Sequence, residues 1–294
     1  MKSTQTNNRF SIRIATSKDT TSLLELWKLC FTDDLDFLNF FFQEGFPLTR
    51  TYVLEKNGDI VAAASLFFGH YAAPARENNC LLPISYLYGV CTHPDHQKQG
   101  LSSQLIQHII QDRKANNDAF VLTKPANPDL FPFYQRLGFT QPIYGQKRVW
   151  FPEEHTNGPM GNWVELTGEK LQESYAYESA KLAGSDPIPR IVWNTPTLNY
   201  ILNYYRKIGG FACQNGYGHC IGTPDGQLEN TTLLLECTTK TLPVEGNLLE
   251  KFVIYQRGSR ALNDRISDKK PLYALAYPLF HIPNSDTHFP FPME

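Results

Sequence analysis

The chain has 294 residues, 41% of them hydrophobic and 19% charged, with a formal net charge of −2. That is enough material for a real core and enough length for one large domain or two ordinary ones. The near-neutral balance gives no electrostatic case for nucleic acid or an anionic membrane surface as a partner.

In chain order, "FSIRIAT" alternates like a half-buried strand. "SKDTTSLLELWKLCF" follows, with Leu23, Leu26, Trp27 and Cys30 at helical spacing and Asp19 or Ser17 as candidate caps. A short helix is expected around "LDFLNFFFQEG". "TYVLEKNGDIVAAASLFF" reads as two strands about an Asn57-Gly58 turn, a strong hairpin signal. "ISYLYGVCT" is a strand, "LSSQLIQHIIQDRKA" an amphipathic helix, and "AFVLTK" a short buried strand. "NPDLFPFYQRLGF" reads as a helix capped by Asn127, with Pro128 at its first position and an end near Gly138. "YGQKRVW" closes this set as a strand by about Trp150.

"FPEEHTNGPMGN" has the Pro and Gly content of a linker. Beyond it, "EKLQESYAYESAKLAG" and "NTPTLNYILNYYRKIGG" read as helices. "FACQNGYGHCIGTPDGQLENTTLLLEC" reads as three strands joined by turns. A short helix is expected in "EGNLLEKFVIYQ" and a terminal strand in "PLYALAYPLF".

None of the six cysteines lies in a CxxC pair. Cys213 and Cys220 could face each other across a hairpin, but a reduced cytoplasmic chain is the better reading. "MKSTQTNNRF" lacks the apolar stretch of a secretion signal, and no run approaches the ~18 apolar residues of a membrane span.

The most informative stretch is "VCTHPDHQKQGLSSQL", Val90 to Leu105. It leaves an apolar strand, crosses a polar loop and enters a helix. The mouth of that helix offers unpaired N–H groups and the positive end of a dipole, which suit a phosphate. Gly100 lets a ligand oxygen approach backbone without a Cβ. Ser102 and Ser103 add hydroxyl donors, and Lys98 adds a cation. No G-x-x-x-x-G-K-[ST] or G-x-G-x-x-G pattern is present here, which excludes an NTPase phosphate loop and counts against a dinucleotide turn. A polar strand-to-helix connection with an incidental glycine is the bland alternative.

The segment Tyr88 to Leu105 resembles motif A of the GNAT superfamily of acyl-CoA-dependent N-acetyltransferases: an apolar strand, an His-Pro turn, Gln97-x-x-Gly100-x-Ser102 and an amphipathic helix. Ser102 departs from the usual small third residue. "NPDLFPFYQRLGF" resembles the family's motif B, with Asn127 and Tyr134 seven residues apart. The whole chain is similar to the two-GNAT branch that includes the Eis-type aminoglycoside and lysine acetyltransferases. Eis proteins carry a third, sterol-carrier-like domain, for which this chain is too short, so their C-terminal carboxylate role is not carried over to Glu294.

The resemblance implies an α+β class with a mixed sheet. Residues 1–150 would form a GNAT acetyltransferase domain, 151–162 a linker, and 163–294 a degenerate GNAT-like domain without a coenzyme site. It implies acetyl-CoA as cosubstrate and no metal. The pantetheine arm would lie along Val90, Cys91 and Thr92, and the pyrophosphate on Lys98, Gln99, Gly100, Leu101, Ser102 and Ser103. Asn127 would meet the pantetheine, and Tyr134 would give a proton to the departing thiolate. The acceptor would be a primary amine of a small molecule or a protein lysine; nucleic acid and membrane are not expected partners, and a homo-oligomer is left open. The alternative function is a non-catalytic acetyl-CoA-binding regulator.

Several residues carry two readings. Tyr134 could simply pack on the coenzyme sheet. Cys91 could suggest covalent catalysis, but a buried unreactive cysteine is the simpler reading. His93, Asp95 and His96 mimic a metal cluster yet lie in one short loop without further ligands. "FLNFFFQEGF" is a core helix or a substrate wall. Tyr86 and Tyr88 share a strand face and are candidates for the acceptor pocket. His70 and Glu44 are candidate bases that sequence alone does not locate.

Overall fold

The computed structural model describes residues 10–72, 81–144, 148–150, 163–181, 190–216, 218–224, 231–237, 251–254 and 272–279. The first half forms β1 (Phe10–Ile14), α1 (Thr20–Cys30), α2 (Leu35–Phe40), β2 (Thr51–Lys56), β3 (Asp59–Ala72), β4 (Leu81–Thr92), α3 (Leu101–Ala115), β5 (Phe120–Thr123), α4 (Phe131–Arg136), β6 (Gln141–Tyr144) and β7 (Arg148–Trp150). The second half forms β8 (Val164–Glu165), α5 (Gly168–Lys181), β9 (Arg190–Trp193), α6 (Thr195–Lys207), β10 (Phe211–Asn215), β11 (Gly218–Pro224), β12 (Thr231–Cys237), β13 (Lys251–Ile254) and β14 (Leu272–Pro278). The described chain is mixed α/β, as expected.

Two compact units emerge. The first comprises the described residues of Met1–Phe68, Ile84–Thr140 and Leu275–Ile282. Its sheet runs β1-β2-β3-β4-β5-β14. β1/β2, β2/β3 and β5/β14 are antiparallel, whereas β4/β5 is parallel, with α3 as the crossover that such a pair requires.

Residues Val61–Phe67 of β3 are buried at every position, because this strand is covered on both faces. Val53, Ala63 and Cys91 face Leu23 and Leu26 of α1. One residue earlier on β2, the hydroxyl of Tyr52 donates to Asp112 of α3. Neighbouring strand residues point to opposite faces, so α1 and α3 flank the sheet from opposite sides. Each fully buried large aliphatic side chain of this core contributes about 1.5–3 kcal/mol.

Two local expectations change. Asp19 does not cap α1 with its side chain. Its carboxylate instead accepts from the Thr16 N–H at 2.6 Å and the Thr16 hydroxyl at 2.9 Å, closing the preceding 3-10 turn. Arg13 grips the same carboxylate with two bonds, at 2.7 and 2.9 Å, and also reaches Glu55. The helix read around "LDFLNFFFQEG" is α2 followed by a π-helical turn over Phe41–Gly45.

The second unit comprises the described residues of Gly69–Pro83, Gln141–Ala274 and Pro283–Glu294. Its own sheet runs β7-β13-β12-β11-β10-β8. The far end of β3, Gly69–Ala72, pairs antiparallel with β9. α6 forms where Asn194 caps it, accepting from Thr197 N–H at 2.9 Å with Pro196 in the first turn. It buries Leu198, Ile201, Leu202 and Tyr205 along one face.

Part of "EGNLLEKFVIYQ" corrects the helix expectation. Lys251–Ile254 is a strand, pairing with β12 and β7, in keeping with the run Phe252-Val253-Ile254 of β-favouring residues. Residues 245–250 and 255–256 of that stretch, and the linker at 151–162, lie outside the described residues. "YGQKRVW" gives β7 at its end, paired with β13. Cys213 and Cys220 are Cα partners on β10 and β11, but both are thiols, and Cys213 Sγ donates to Cys220 O at 3.7 Å.

Candidate active site

β4 and β5 pair from Ile84↔Phe120 to Leu87↔Thr123, and there the pairing stops. β5 ends at Thr123 while β4 continues to Thr92. Gly89, Val90, Cys91 and Thr92 therefore run on beyond the β4/β5 ladder, leaving a fork between the two strands. Such a fork accepts an extended ligand as though it were another strand.

Gly89 makes the bend at the fork. Its φ is +59°, and a Cβ there would lie 2.5 Å from Cζ3 of Trp27. Trp27 is fixed in turn: its Nε1 donates to Asp33 Oδ2 at 2.6 Å, and its ring lies 4.6 Å from Phe31, 5.1 Å from Phe41 and 5.9 Å from Tyr88. From sequence, Trp27 reads only as one of the apolar residues of a helix, and Gly89 was not singled out. The available signal was a lone glycine inside an apolar strand, which marks a bulge or a close approach.

Past Thr92, a 3-10 turn over Pro94–His96 leads into the exposed loop Gln97-Lys98-Gln99-Gly100. Lys98 and Gly100 adopt φ of +60° and +77°, which turns successive N–H groups inward in the manner of an anion-binding nest. A Cβ on Gly100 would meet nothing within 4 Å, so the space above it is open. The first intrahelical bond of α3 is Gln104 N–H to Gly100 O at 3.0 Å. The amides of Leu101, Ser102 and Ser103 thus remain first-turn donors. The Ser102 hydroxyl lies 2.7 Å from that of Thr92, tying the helix mouth to the strand end, whereas Leu101 is buried beneath the loop. Gln97 donates to Thr92 O at 3.3 Å and Gln99 to Asp95 O at 3.4 Å.

On the other arm of the fork, Asn127 caps a 3-10 turn over Pro128–Leu130 by accepting from Asp129 N–H at 3.1 Å. α4 follows and buries Tyr134 to 7% exposure between Phe133 and Phe139, with ring centroids at 5.0 and 5.6 Å. Burial pushes the Tyr134 phenol up to about 12, while the polar hydroxyl of Thr123 pulls the other way. Thr123, which sequence reasoning missed, also donates to Leu87 O at 3.2 Å. The buried phenol thus sits beside the last paired residues of the fork.

The remaining candidates sort by environment. Cys91 is buried, and its thiol is pushed well up by the neighbouring Cys30 thiol and by burial, so it stays protonated and packs. Cys30 Sγ donates to Thr92 O at 3.4 Å. His93 Nδ1 accepts from Asp95 N–H at 3.3 Å, and among the described residues no group of His, Cys, Asp or Glu converges as a metal site. Phe37, Leu38 and Phe41 are core, while half-buried Phe42 and Phe46 stack at 4.4 Å. Tyr86 is fully buried, Tyr88 half-buried, and Glu44 exposed. His70 is exposed on the far end of β3, in the second unit. No helix among the described residues is long and apolar enough to cross a membrane.

Comparison with known families gives this geometry its class. The acetyltransferase (GNAT) domain family matches residues 11–141, which hold the fork, the loop and α4. Residues 11–141 are a GNAT acetyltransferase domain. The tRNA(Met) cytidine acetyltransferase TmcA of Aeropyrum pernix is 26% identical over 156 residues, 47% of this chain and 22% of its own length. The chain thus spans about a fifth of that curated relative.

Among solved structures, a GCN5-related N-acetyltransferase from Kribbella flavida is similar over 93% of this chain and 72% of its own, with a TM-score of 0.70 at 12% identity. Eis1 from Mycobacterium abscessus is similar over 92% and 74%, with a TM-score of 0.65 at 10% identity. Both likenesses are of fold, and both extend into the second half of the chain.

Proposed function

We propose that the first unit binds acetyl-CoA along the fork and transfers its acetyl group to a primary amine by direct attack. The observation that carries this reading is the fork itself: a stretch of β4 beyond the β4/β5 ladder, an anion-accepting helix mouth at one end and a buried phenol at the other. The site residues suit the cosubstrate, because the space above Gly100 is open and its φ is positive. The backbone of Val90, Cys91 and Thr92 would hold the pantetheine, and the amides from Lys98 to Ser103 the pyrophosphate. The Nδ2 group of Asn127 is a donor toward the pantetheine, since its Oδ1 is committed to Asp129.

Bound acetyl-CoA supplies the activated acyl group. A main-chain N–H of β4 beyond Leu87 would offer the donor that an oxyanion needs. Tyr134 holds a proton at neutral pH and gives it to the departing sulfur. No histidine or zinc is required by this scheme. The amine must lose its own proton before attack, since a free alkylamine has a pKa of about 10.4.

The curated relative is named for a cytidine in tRNA. A net charge of −2 gives no electrostatic support for RNA here, so we favour a small molecule or a protein lysine as acceptor. We further propose that residues 163–294 hold no second coenzyme site. Thiol release from acetyl-CoA, followed across a panel of amines, with a calorimetric stoichiometry of one, tests the reading. Tight binding with no turnover on any amine would favour a regulatory acetyl-CoA sensor instead.

A further inference from the structure

Arg13 is held by Asp19 and Glu55, Arg113 by Asp112, and Arg206 by Glu165. Arg50 is different. It is half-buried, yet among the described residues its guanidinium meets no carboxylate and makes no hydrogen bond. Its position is set by the 3-10 turn Leu48–Arg50, where its own N–H donates to Pro47 O at 2.8 Å just before β2.

The Cζ of Arg50 lies 4.3 Å from the centre of the Phe68 ring, and the Cζ of Arg113 lies 5.0 Å from the same centre. Tyr52 pairs with Ala64, so Phe68, two alternations further along β3, shares its face of the sheet. That is the face covered by α3, whose last turn carries Arg113. Two cations thus share one aromatic ring, a favourable surface for either of them. The acids nearby are already engaged: Asp112 accepts from Nε and Nη2 of Arg113, and Asp118 from the Ser85 hydroxyl. Burial first, and the Arg113 charge second, pull the Arg50 pKa below the ordinary arginine value, with no acid pulling it back.

A cation that is partly desolvated and unpaired is costly, and an anion from solution would offset the cost. No guanidinium nitrogen of Arg50 is sealed from solvent without a partner, so such an anion can reach it. The planar fork of guanidinium donors matches the paired oxygens of a carboxylate or a phosphate. From Leu101 to Arg113 the helix rises by about 18 Å, which puts this cluster at the end of α3 far from the Gly100 loop.

We propose that Arg50, with Arg113 and Phe68, forms an oxyanion site on the α3 face of the first unit, taking the carboxylate or phosphate group of a small molecule at a place separate from the coenzyme fork. Thermal melting of the full chain, titrated with inorganic phosphate and in parallel with acetate at an ionic strength held constant with chloride, tests it. An ion bound only by the folded state, at ten times its Kd, raises Tm by about 2–5 °C. At least one of the two ions should do so, and the one that responds tells phosphate from carboxylate as the group recognised. Arg50→Gln should abolish the rise. Arg50→Lys keeps the charge but not the paired donors, so its response should be weaker. Gly100→Val should keep the rise, because the ion does not sit in the loop. Should Arg50→Gln fail to fold, Arg50→Lys carries the comparison. No rise with either ion, an undiminished rise in the Arg50 variant, or a rise lost in Gly100→Val overturns the proposal.

Discussion

The indole of Trp27 occupies the place that a side chain on Gly89 would take. A Cβ there would lie 2.5 Å from Cζ3 and 2.6 Å from Cη2 of the ring. The left-handed φ of Gly89 and the buried, hydrogen-bonded ring of Trp27 therefore hold β4 in its bent course together. Gly89→Ala is expected to destabilise the protein by about 2–4 kcal/mol, summing backbone strain and overpacking. Urea denaturation reads this as a lower midpoint at unchanged slope. An unchanged midpoint would mean that Trp27 moves aside freely and does not set the fork.

Gly100→Val meets the opposite situation. Nothing lies within 4 Å of the built Cβ, so the variant keeps its fold with about 1–2 kcal/mol of strain. The valine side chain stands where the diphosphate is proposed to lie. Affinity for acetyl-CoA should fall at least about tenfold, or ~1.4 kcal/mol, by calorimetric titration. Wild-type affinity in the folded variant would remove the loop from the proposed site.

Tyr134→Phe keeps the ring between Phe133 and Phe139 and deletes only the hydroxyl. General acid catalysis is typically worth about 10²–10⁴ in rate, so kcat should fall in that range with acetyl-CoA affinity nearly unchanged. Burial sets the sign of the pH dependence: with the phenol pushed up to about 12, its protonated form persists. No loss of kcat assignable to Tyr134 is expected up to about pH 10. Weaker binding at intact kcat would make the residue a packing group.

Asp19 links folding to acid. Its carboxyl is held well below the usual carboxylate range, first by the paired bonds from Arg13 and then, against the cost of burial, by Thr16. A depressed folded pKa contributes stability above the unfolded value, about 3.9, and loses it as pH falls through the folded pKa. Asp19→Asn should destabilise by about 1–2 kcal/mol at pH 7. The gap between the two proteins should narrow as pH is lowered from about 5 to 3. Thermal melting across that range checks it; a constant gap would indicate a role for Asp19 other than its charge.

What was legible in the sequence was local. The Asn57-Gly58 hairpin, the Asn194 cap with Pro196, and the glycine-bearing helix mouth at Gly100 each depend on residues a few positions apart. The hidden part depended on distance along the chain. Trp27 and Gly89 are 62 positions apart, and nothing near either names the other. Thr123 reads as one more strand residue until the phenol of Tyr134 is brought to it. Arg190–Trp193 was missed because its sheet partner, Gly69–Ala72, lies far upstream. Lys251–Ile254 was drawn into a helix by the leucines before it, although its partners are strands of the same sheet.

The pairing of β14 with β5 has a consequence for synthesis. Leu275 meets Thr123 and Pro278 meets Phe120, across more than half the chain. A ribosome that has finished the fork, the loop at Gly100 and Tyr134 has still not made the strand that pairs with β5. Until it does, Phe120–Thr123 is an exposed edge, open to pairing with other chains. The first unit therefore matures late, and a nascent chain interrupted before Leu272 carries the candidate site on an unfinished sheet.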